Sequence, residues 1–511
     1  MSRITFSVPR TYSTHYDIYA VGYDENRFKP ENLKHIDPKR QVRSEAEASL
    51  TDFKATIGET SVHFSNLESS IATRSMLVGL GNTSKLNSTS LRQALTACFT
   101  AALKVKARSL FLQLNLSRFI NVSISAYEFG RLVAETASMV NYEINHQKTE
   151  IGGYKPSVRL EKIDVCISTF DDIQALESGL TDGALIGEAV NLAKDLINAP
   201  ADDMTPKALA FQARAIAKSS NNSLKVKVHG PKALERMKAG CILAVAKAGL
   251  KEERPVEPPA LIELNYKPAN AKPGVKLSLV GKSITFDSGG LDIKGTANMR
   301  DMKGDMAGGA AVLAAMQVIA ALKLPITVQA LLPATPNLIG SRATKPGAVV
   351  YSMSGRSVEI DNTDAEGRLT LADGITFAKK NGATHIVDIA TLTGAVFYAL
   401  GPNTAGLFSN DKSLSDLVDE SSKAAGEQLW LLPSGGEFNE ANKTPIADIK
   451  NSGGGYGAGA STAASFVLLF AEDTPTVHLD IAGVSMKQMQ ATGFGVRTLI
   501  EVARQLSQTT K

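Results

Sequence analysis

Four near-continuous apolar runs in the second half of the chain constrain its fold more than any other feature. They are VKLSLVG (275–281), PITVQALLP (325–333), THIVDIATL (384–392) and TVHLDIAG (476–483). Short apolar runs of this kind are typical of strands that are buried on both faces. Helical segments at 306–322 and 369–380 alternate with them. The pattern predicts a mixed, largely parallel sheet sandwiched by helices, with ligands bound beyond the carboxyl ends of its strands.

The first 175 residues predict a smaller α/β domain. Its strand-like and helical runs are SRITFSV (2–8), SVHFS (61–65), LRQALTACFTAALKVKA (91–107), SLFLQLNL (109–116) and KIDVCIST (162–169). The segment 170–183 is a polar break, and apolar residues then recur at helical spacing from Ala184 to Ile197. This helix should end at Asn198-Ala199-Pro200, since proline cannot continue it.

The predicted organisation is therefore an N-terminal α/β domain over 1–175, a linker helix over 176–200 and a larger C-terminal domain over 201–511. Two or three domains are expected for a chain of 511 residues. The apolar stretch from Met306 to Leu322 is rich in Ala and Gly and contains Gln317, so it predicts a buried helix rather than a membrane span.

Charge and cysteine content limit the classes of protein to which the chain can belong. The 55 Lys and Arg residues face 51 Asp and Glu, and a net charge of +4 argues neither for nor against nucleic acid. Cys98, Cys166 and Cys241 are odd in number and lack C-x-x-C spacing, which favours buried thiols in a reducing compartment. The N-terminus has no continuous apolar segment, so a cytoplasmic location is expected, with organelle targeting as the weaker alternative.

Polar groups crowd the end of the first apolar strand. Lys282 follows this strand, then come Thr285-Phe286-Asp287-Ser288-Gly289-Gly290, Lys294 and Lys303-Gly304-Asp305. The two glycines permit a close backbone approach. An alternative for Asp305 is a charge at a helix N-terminus, stabilised by the helix dipole.

A second cluster occupies 361–368, with the sequence DNTDAEGR. In extended backbone, Asp364, Glu366 and Arg368 would project from one face, and two neighbouring carboxylates call for a cation. The alternative is a solvated acidic turn that caps a helix beginning near Leu369. Both clusters follow strands of the same predicted sheet, which favours a shared site.

Together the clusters supply four carboxylates, from Asp287, Asp305, Asp364 and Glu366. Two divalent ions would balance their charge of −4. Oxygen ligands suit Mg or Mn, and Zn also accepts carboxylates, so ligand type does not select the metal. A paired-metal site can activate water and polarise a carbonyl, which makes hydrolysis its natural use.

Six motifs resemble those of the leucine aminopeptidase family, also called the cytosol aminopeptidases. They run in order along the chain: N-A-P-A-x-x-M-T-P (198–206), V-G-K-x-I-T-F-D-S-G-G (280–290), N-M-x-x-M-K-G-D-M (298–306), N-T-D-A-E-G-R-L (362–369), T-L-T-G-A (391–395) and H-L-D-I-A-G (478–483). The N-terminal domain is similar to that of the family only in size and α/β character. The resemblance implies a two-metal aminopeptidase that removes an N-terminal leucine or other apolar residue from peptides with a free α-amine.

The resemblance also implies roles for individual residues. The metal ligands would be Lys282, Asp287, Asp305, Asp364 and Glu366, with Asp287 and Glu366 bridging two ions, Zn or Mn with Mg or Co as alternatives. Lys282 would bind through its amine, whose pKa two nearby divalent ions can depress. Lys294 and Arg368 would be the catalytic pair, and bicarbonate or carbonate held by Arg368 would be the general base. Either cation could instead pair with a ligand carboxylate.

The resemblance further implies a pocket for the first side chain of the substrate, bordered by Met302, Thr391, Gly394 and Ala482. Some family members carry a bulky apolar residue where this chain has Ser485, which leaves strict leucine preference open. Trp430 is expected in the core. The family assembles as hexamers, and a homohexamer acting on peptides, without a membrane or nucleic acid partner, is implied here.

Three other functions are less favoured. GGGYGAG (453–459) is the best case for nucleotide binding, but no G-x-x-x-x-G-K-[ST] occurs. The sequence contains no G-x-S-x-G motif, so a serine hydrolase is not supported. A DNA-binding accessory protein of the same fold is the non-enzymatic alternative, and it would need a basic groove.

Overall fold

The computed structural model describes residues 3–9, 15–26, 52–64, 72–114, 124–144, 147–166, 172–250 and 257–508. The chain forms two compact units, Met1–Asn191 and Leu192–Lys511. The predicted strand ends at 65, 115–116 and 167–169 lie outside the described residues. The boundary between the units falls inside one helix, so the domain limits drawn from the sequence stay a prediction.

The first unit contains a six-stranded sheet. Its strands are β1 (Thr5–Ser7), β2 (Tyr16–Tyr23), β3 (Thr60–Phe64), β4 (Ala72–Gly79), β5 (Ser109–Gln113) and β6 (Lys162–Val165), in the order β1-β6-β5-β2-β4-β3. Neighbouring strands are parallel except β3 and β4. The helices α1 (Ser88–Lys104) and α2 (Ala126–Val140) bury Phe99 and Phe129 with Leu110 of the sheet in one core. The predicted α/β character of this half is thus confirmed.

The helix α3 (Ile173–Asn198) differs from the prediction. The segment 170–183 was expected to be a polar break, but the helix already begins at Ile173, and residues 170–171 lie outside the described part. Leu176 and Leu180 are buried one turn apart, while the polar residues between them are exposed or half-buried. The polar break is therefore the solvent face of an amphipathic helix.

The second unit is built on a nine-stranded sheet. Its strands are β7 (Leu224–His229), β8 (Ala260–Tyr266), β9 (Lys276–Gly281), β10 (Ser283–Asp287), β11 (Thr327–Asn337), β14 (His385–Ala390), β15 (Thr404–Ser409), β16 (Gln428–Leu431) and β18 (Thr476–Asp480). A three-stranded sheet holds β12 (Ala348–Tyr351), β13 (Ser357–Ile360) and β17 (Ile449–Lys450), and a hairpin holds β19 (Met486–Lys487) and β20 (Gln490–Ala491).

The order of the large sheet is β16-β15-β18-β14-β9-β11-β8-β7, with β10 paired to β11. The four strands predicted from apolar runs are β9, β11, β14 and β18, and they are neighbours, all parallel, at the centre. Antiparallel pairing begins on either side, at β15 and at β8. This confirms the mixed, largely parallel sheet and places four strand carboxyl ends at one edge.

Helices cover both faces of this sheet. They are α4 (Pro206–Ser219), α5 (Pro231–Arg236), α6 (Gly240–Ala246), α7 (Thr296–Met299), α8 (Ala307–Ala321), α9 (Glu366–Lys380), α10 (Gly394–Leu400), α11 (Lys412–Ala425), α12 (Glu437–Glu440), α13 (Gly459–Leu468) and α14 (Val496–Gln508). One face packs against α6, α9 and α13, and the other against α8. The run Thr296–Ala321 is the one described helical stretch with the length and apolarity to cross a membrane, and 89% of its most apolar window is buried inside the protein.

The burial predicted for the cysteines is confirmed, and the burial predicted for Trp430 is wrong. The three cysteines are buried and free, as predicted. Trp430 was expected in the core and is 64% exposed. It lies on the edge strand β16, where the pleat turns Leu429 inward and Trp430 outward.

Candidate metal centre

The predicted ligand residues gather at the carboxyl edge of the central parallel strands. Lys282 directly follows β9, and Asp287 is the last residue of β10. Asp305 follows a short 3₁₀ helix that leads into α8. Glu366 is the first residue of α9, and Asp364 lies in the turn before it. This turn follows β13 of the small sheet, so the prediction that both clusters follow strands of one sheet is wrong. Chain segments far apart in sequence thus meet where ligands of parallel sheets bind.

Lys282 joins two of the carboxylates. Its Nζ lies 2.8 Å from Oδ1 of Asp305 and 2.9 Å from Oε1 of Glu366. Nζ also donates to the carbonyl of Thr391 at 3.0 Å, and the Thr391 hydroxyl donates to Oδ1 of Asp305 at 2.7 Å. Burial alone would lower the pKa of Lys282, but the charges of Asp305 and Glu366 outweigh burial and raise it.

Lys294 joins the other two carboxylates. Its Nζ lies 2.8 Å from Oδ2 of Asp287 and 2.5 Å from Oδ1 of Asp364. Burial would lower the pKa of Lys294, but the charge of Asp287 and hydrogen bonds to both carboxylates raise it. Burial raises the pKa of Asp364 to about 6. Pairing with carboxylates was the open alternative for this lysine, and it is the arrangement observed.

The arrangement of oxygens fits divalent cations. One carboxylate oxygen from each of Asp287, Asp364 and Glu366 lies within 4.8 Å of the others. Among the described residues, Oδ2 of Asp305 and Oε2 of Glu366 are buried and accept no hydrogen bond. Burial also raises the pKa of Asp305 well above its ordinary value. Buried carboxylate oxygens without donors are costly unless a cation binds them.

The backbone of 364–368 differs from the extended chain assumed from the sequence. The helix α9 begins at Glu366 rather than near Leu369, so Glu366 and Arg368 lie in its first turn. Residues two apart on a helix point about 200° apart, so these two side chains diverge. Glu366 turns to Lys282, and Arg368 turns to the carbonyl of Asn451. The shared face predicted for Asp364, Glu366 and Arg368 is therefore wrong. The carboxylates of Asp364 and Glu366 converge because the turn before α9 redirects the chain.

Arg368 is held in the protein interior. Its Nη1 donates to the carbonyl of Asn451 at 2.6 Å, and the residue is 8% exposed. Burial lowers the pKa of Arg368 to about 10, although the charges of Glu366 and Asp361 oppose this shift. The guanidinium therefore stays charged at neutral pH. Within the described part of the chain, its Nε has no hydrogen-bond acceptor.

Asn337 orients a predicted ligand but was missed by sequence reasoning. It ends β11, and its Nδ2 donates to Oδ1 of Asp287 at 2.8 Å and to the carbonyl of Thr363 at 3.0 Å. It thereby joins the two motifs that carry the carboxylates. A polar residue after the apolar run 325–333 was the signal that could have identified it, since site residues follow strands here.

Asp480 shapes the predicted substrate pocket and was also missed. The buried carboxylate accepts hydrogen bonds from the amides of Leu392 and Ala482 at 3.1 and 3.2 Å, and from the Thr393 hydroxyl at 2.7 Å. These bonds hold together the two segments that carry Thr391, Gly394 and Ala482. Met302, Thr391 and Ala482 are half-buried, Gly394 is exposed and Ser485 is buried. The pocket assignment itself stays a prediction.

Comparisons with known proteins cover both units. The model of the cytosol aminopeptidase family, catalytic domain, matches residues 191–500, and that of its N-terminal domain matches residues 20–150. A probable cytosol aminopeptidase of Alkaliphilus metalliredigens (strain QYMF) is 40% identical over 500 residues, which span 96% of this chain and 97% of the relative. One of Solibacter usitatus (strain Ellin6076) is 41% identical over 439 residues, 84% of this chain and 87% of the relative.

Two solved structures share the fold over nearly the whole chain. A tomato leucine aminopeptidase mutant is 31% identical with a TM-score of 0.85, covering 99% of this chain and 97% of that one. The bottromycin maturation enzyme BotP in complex with Mn is 31% identical with a TM-score of 0.82, covering 96% and 100%. These matches do not favour the DNA-binding alternative. The chain belongs to the cytosol aminopeptidase family, and is a metal-dependent aminopeptidase.

Proposed function

We propose that this enzyme removes leucine or another apolar residue from the N-terminus of peptides by a two-metal mechanism. The observation that carries the proposal is the convergence of four buried or half-buried carboxylates and one buried amine on a single small region, with carboxylate oxygens that accept no hydrogen bond within the described residues. Their charge of −4 matches two divalent ions. Zn and Mn are the proposed metals, with Mg or Co as alternatives, and BotP was solved with Mn.

In this proposal Asp287 and Glu366 would be ligands shared by the two ions, and Lys282, Asp305 and Asp364 would complete the set of residues that hold them. Lys282 would bind as a neutral amine, in place of the ammonium that pairs with Asp305 and Glu366. When bound, the ions supply Lewis-acid polarisation of the scissile carbonyl and lower the pKa of water. Asp305 is also the candidate partner of the substrate α-amine, which is why a free amine is required.

Two cations of the chain act on the reacting groups in the proposed mechanism. The Lys294 ammonium stabilises the oxyanion that develops on the substrate carbonyl. Arg368 keeps its charge and cannot accept a proton, so its role would be to hold bicarbonate or carbonate, which would supply the general base for the attacking water. The unpaired Nε of Arg368, within the described residues, leaves a donor for such an anion.

The side chain of the first substrate residue would contact Met302, Thr391, Gly394 and Ala482. Their half-buried or exposed state fits a pocket open to solvent. Ser485 is small and buried, so we expect the pocket to accept larger apolar side chains as readily as leucine. A homohexamer in the cytoplasm is proposed from the family relationship.

The exopeptidase assignment is tested by release of ammonia from Leu-amide and N-acetyl-Leu-amide. Blocking the amine should abolish turnover, because the acetyl group removes the group that Asp305 binds. Equal rates on the two amides would reject the assignment. Unblocked amides of Leu, Met and Phe, with Zn, Mn, Mg or Co supplied, give the side-chain and metal preference.

The metal site is tested by elemental analysis of variants. We expect two ions per chain in the native protein, one in Asp305→Ala and severely reduced binding in Glu366→Ala, since only the latter removes a bridging ligand. Two retained ions and native activity in both variants would contradict the site. Binding should weaken as pH falls, because protons compete for the ligands.

The role of Arg368 is tested in carbonate-depleted buffer. Native activity should fall and recover when bicarbonate is added. Arg368→Ala should keep both ions and lose about 10²–10⁴-fold in kcat, the usual contribution of a general base. Equal stimulation of the native enzyme and the variant by bicarbonate would reject Arg368 as the anion ligand.

A further inference from the structure

A fully buried asparagine, Asn451, lies beside the turn between β13 and α9, although it belongs to none of the six motifs. It directly follows β17, which pairs in parallel with β13. Its amide nitrogen donates to the carbonyl of Glu359 at 2.9 Å, which continues that pairing by one residue. The exposed fraction of Asn451 is 0%. The pairing in the small sheet thus places a buried polar side chain next to the segment between β13 and α9.

The side chain of Asn451 makes four hydrogen bonds to this segment. Its Oδ1 accepts from the amides of Asp361 and Asn362 at 3.0 and 3.3 Å. Its Nδ2 donates to the carbonyls of Asn362 and Ala365 at 2.7 and 3.2 Å. Buried backbone groups must be paired, and here one side chain pairs four of them in a turn without regular structure. The turn is therefore fixed at both of its ends.

The backbone of the same residue holds the catalytic arginine. The carbonyl of Asn451 accepts from Nη1 of Arg368 at 2.6 Å. Asp364 lies inside the fixed turn, and Glu366 begins the helix directly after it. Asn451 thus forms hydrogen bonds to the turn through its side chain and to the guanidinium of Arg368 through its carbonyl.

We propose that Asn451 is a positioning residue, which sets the geometry of Asp364 and Glu366 through its amide and that of Arg368 through its carbonyl. The inference rests on the proposed function, because it assigns ligand and anion-holding roles to those three residues. It adds to the site a chain segment that supplies none of the proposed metal ligands.

The test is Asn451→Asp, which keeps the shape of the side chain. The new carboxylate oxygen would face the carbonyls of Asn362 and Ala365 without a proton to donate. We expect Mn²⁺ affinity to fall by about 10–100-fold, as for other residues that orient metal ligands. At saturating Mn²⁺, kcat for Leu-amide should fall by about 10²-fold while KM changes by less than about threefold, since Arg368 acts in the reaction rather than in substrate binding.

Asn442→Asp is the matched control. Asn442 is also fully buried, and within the described part of the chain its Nδ2 donates to the carbonyl of Thr462 at 3.0 Å and makes no hydrogen bond to the segment between β13 and α9. Its kcat and Mn²⁺ affinity should stay near the native values even where stability falls. Should Asn451→Asp fail to fold, Asn451→Ser, which is smaller and uncharged, carries the same expectation of at least a tenfold loss in kcat.

Mn²⁺ titration followed by electron paramagnetic resonance separates this inference from the function on which it rests. An inactive native protein would refute the proposed peptidase, yet the Mn²⁺ affinities of the two variants would still compare Asn451 with Asn442. If Asn451→Asp binds Mn²⁺ and turns over Leu-amide within threefold of Asn442→Asp, the positioning role is wrong.

Discussion

At the scale of single residues, Gly367 explains part of the composition of the N-T-D-A-E-G-R-L motif. A Cβ at this position would lie 2.6 Å from Cε and 2.7 Å from Nζ of Lys282. Lys282 is buried and held by Asp305 and Glu366, so it cannot move aside freely. The glycine therefore provides the space in which the amine lies.

Gly367→Ala is expected to displace the amine of Lys282 and weaken Mn²⁺ binding by at least about tenfold. The free energy of unfolding should fall little, because alanine favours the helix by about 1 kcal/mol over glycine. Isothermal titration with Mn²⁺ and urea unfolding measure the two effects. Unchanged Mn²⁺ affinity would show that the space beside Lys282 is not needed.

Gly374→Ala is the control for this substitution. Gly374 lies on the same helix, and its Cβ would lie 3.0 Å from Cγ1 of Val280. The added methyl group would crowd the apolar core instead of the site. We expect lower stability and native Mn²⁺ affinity.

His478 and Asp388 form a second residue-scale feature, a fully buried pair on the adjacent strands β18 and β14. Nδ1 of His478 lies 2.5 Å from Oδ1 of Asp388. Burial alone would lower the pKa of His478, but the charge and hydrogen bond of Asp388 outweigh burial and raise it above 6.5. The folded protein thus holds this proton more tightly than the unfolded chain does.

The sign of the pH effect follows from linkage. The stabilisation from the pair is fully present below pH 6.5 and is lost as pH rises through the raised pKa of His478. Between pH 6.5 and 9, the free energy of unfolding should fall more steeply in the native protein than in the double variant His478→Gln, Asp388→Asn. The difference in slope can reach about 1.4 kcal/mol per pH unit. Parallel profiles in urea unfolding with EDTA would show that the pair does not exchange this proton on unfolding.

Some site residues could be predicted from the sequence and others could not. Lys282 stands directly after the apolar strand β9, where the rule of strand carboxyl ends applies. Asp305 follows a 3₁₀ helix, and Asp364, Glu366 and Arg368 follow β13 of the small sheet, so their charge pattern and the family resemblance, rather than that rule, identify them. Asn451 follows a two-residue strand of the same small sheet, and no local pattern marks it. It meets the turn before α9 only through pairing between segments about ninety residues apart.

At the scale of elements, α3 packs against α2 through three glycines one turn apart. A Cβ on Gly179, Gly183 or Gly187 would lie 2.0, 2.2 or 2.6 Å from the nearest atom of α2. The two helices therefore leave no space for a side chain at these three positions. The apolar period predicts that a helix forms here, but the period alone does not show which glycines lie against a neighbour.

Gly183→Ala should lower the free energy of unfolding by about 1–3 kcal/mol, because the methyl group would overlap the carbonyl oxygen of Arg131. This loss must exceed the gain of about 1 kcal/mol in helix propensity. Ser178→Ala, at an exposed position of the same helix, should be neutral or stabilising. Urea unfolding compares the two, and a stabilised Gly183→Ala would contradict the close packing.

Element types were predicted more reliably than element limits. The central strands agree with their apolar runs within a few residues, because burial on both faces leaves no ambiguity. The predicted start of α9 was wrong because Glu366 and Arg368 have the polarity of solvent-exposed turn residues. In the fold, Glu366 pairs with the buried Lys282 and Arg368 donates to the carbonyl of the buried Asn451. Long-range pairing therefore decides where this helix begins.

At the scale of the whole molecule, all proposed metal ligands belong to Leu192–Lys511. The two units have separate cores, so calorimetry should show two transitions. Adding Mn²⁺ to the EDTA-treated protein should raise the free energy of unfolding of the larger unit only, by about 2.7 kcal/mol for each bound ion when free Mn²⁺ is a hundred times the Kd of that site. Glu366→Ala should lose this shift. Equal shifts in both transitions would contradict independent units.

The proposed site residues lie at one edge of the large sheet, so the opposite edge is available for engineering. The four central strands of this sheet all begin at the edge opposite the site, after turns that contain Gly274, Lys323, Gly382 and Glu472, each exposed and with positive φ. Lengthening such a loop costs little, about 0.6 kcal/mol for each doubling of its length. These turns are where a reporter domain or affinity tag can be grafted into the chain while the residues at the opposite edge keep their register.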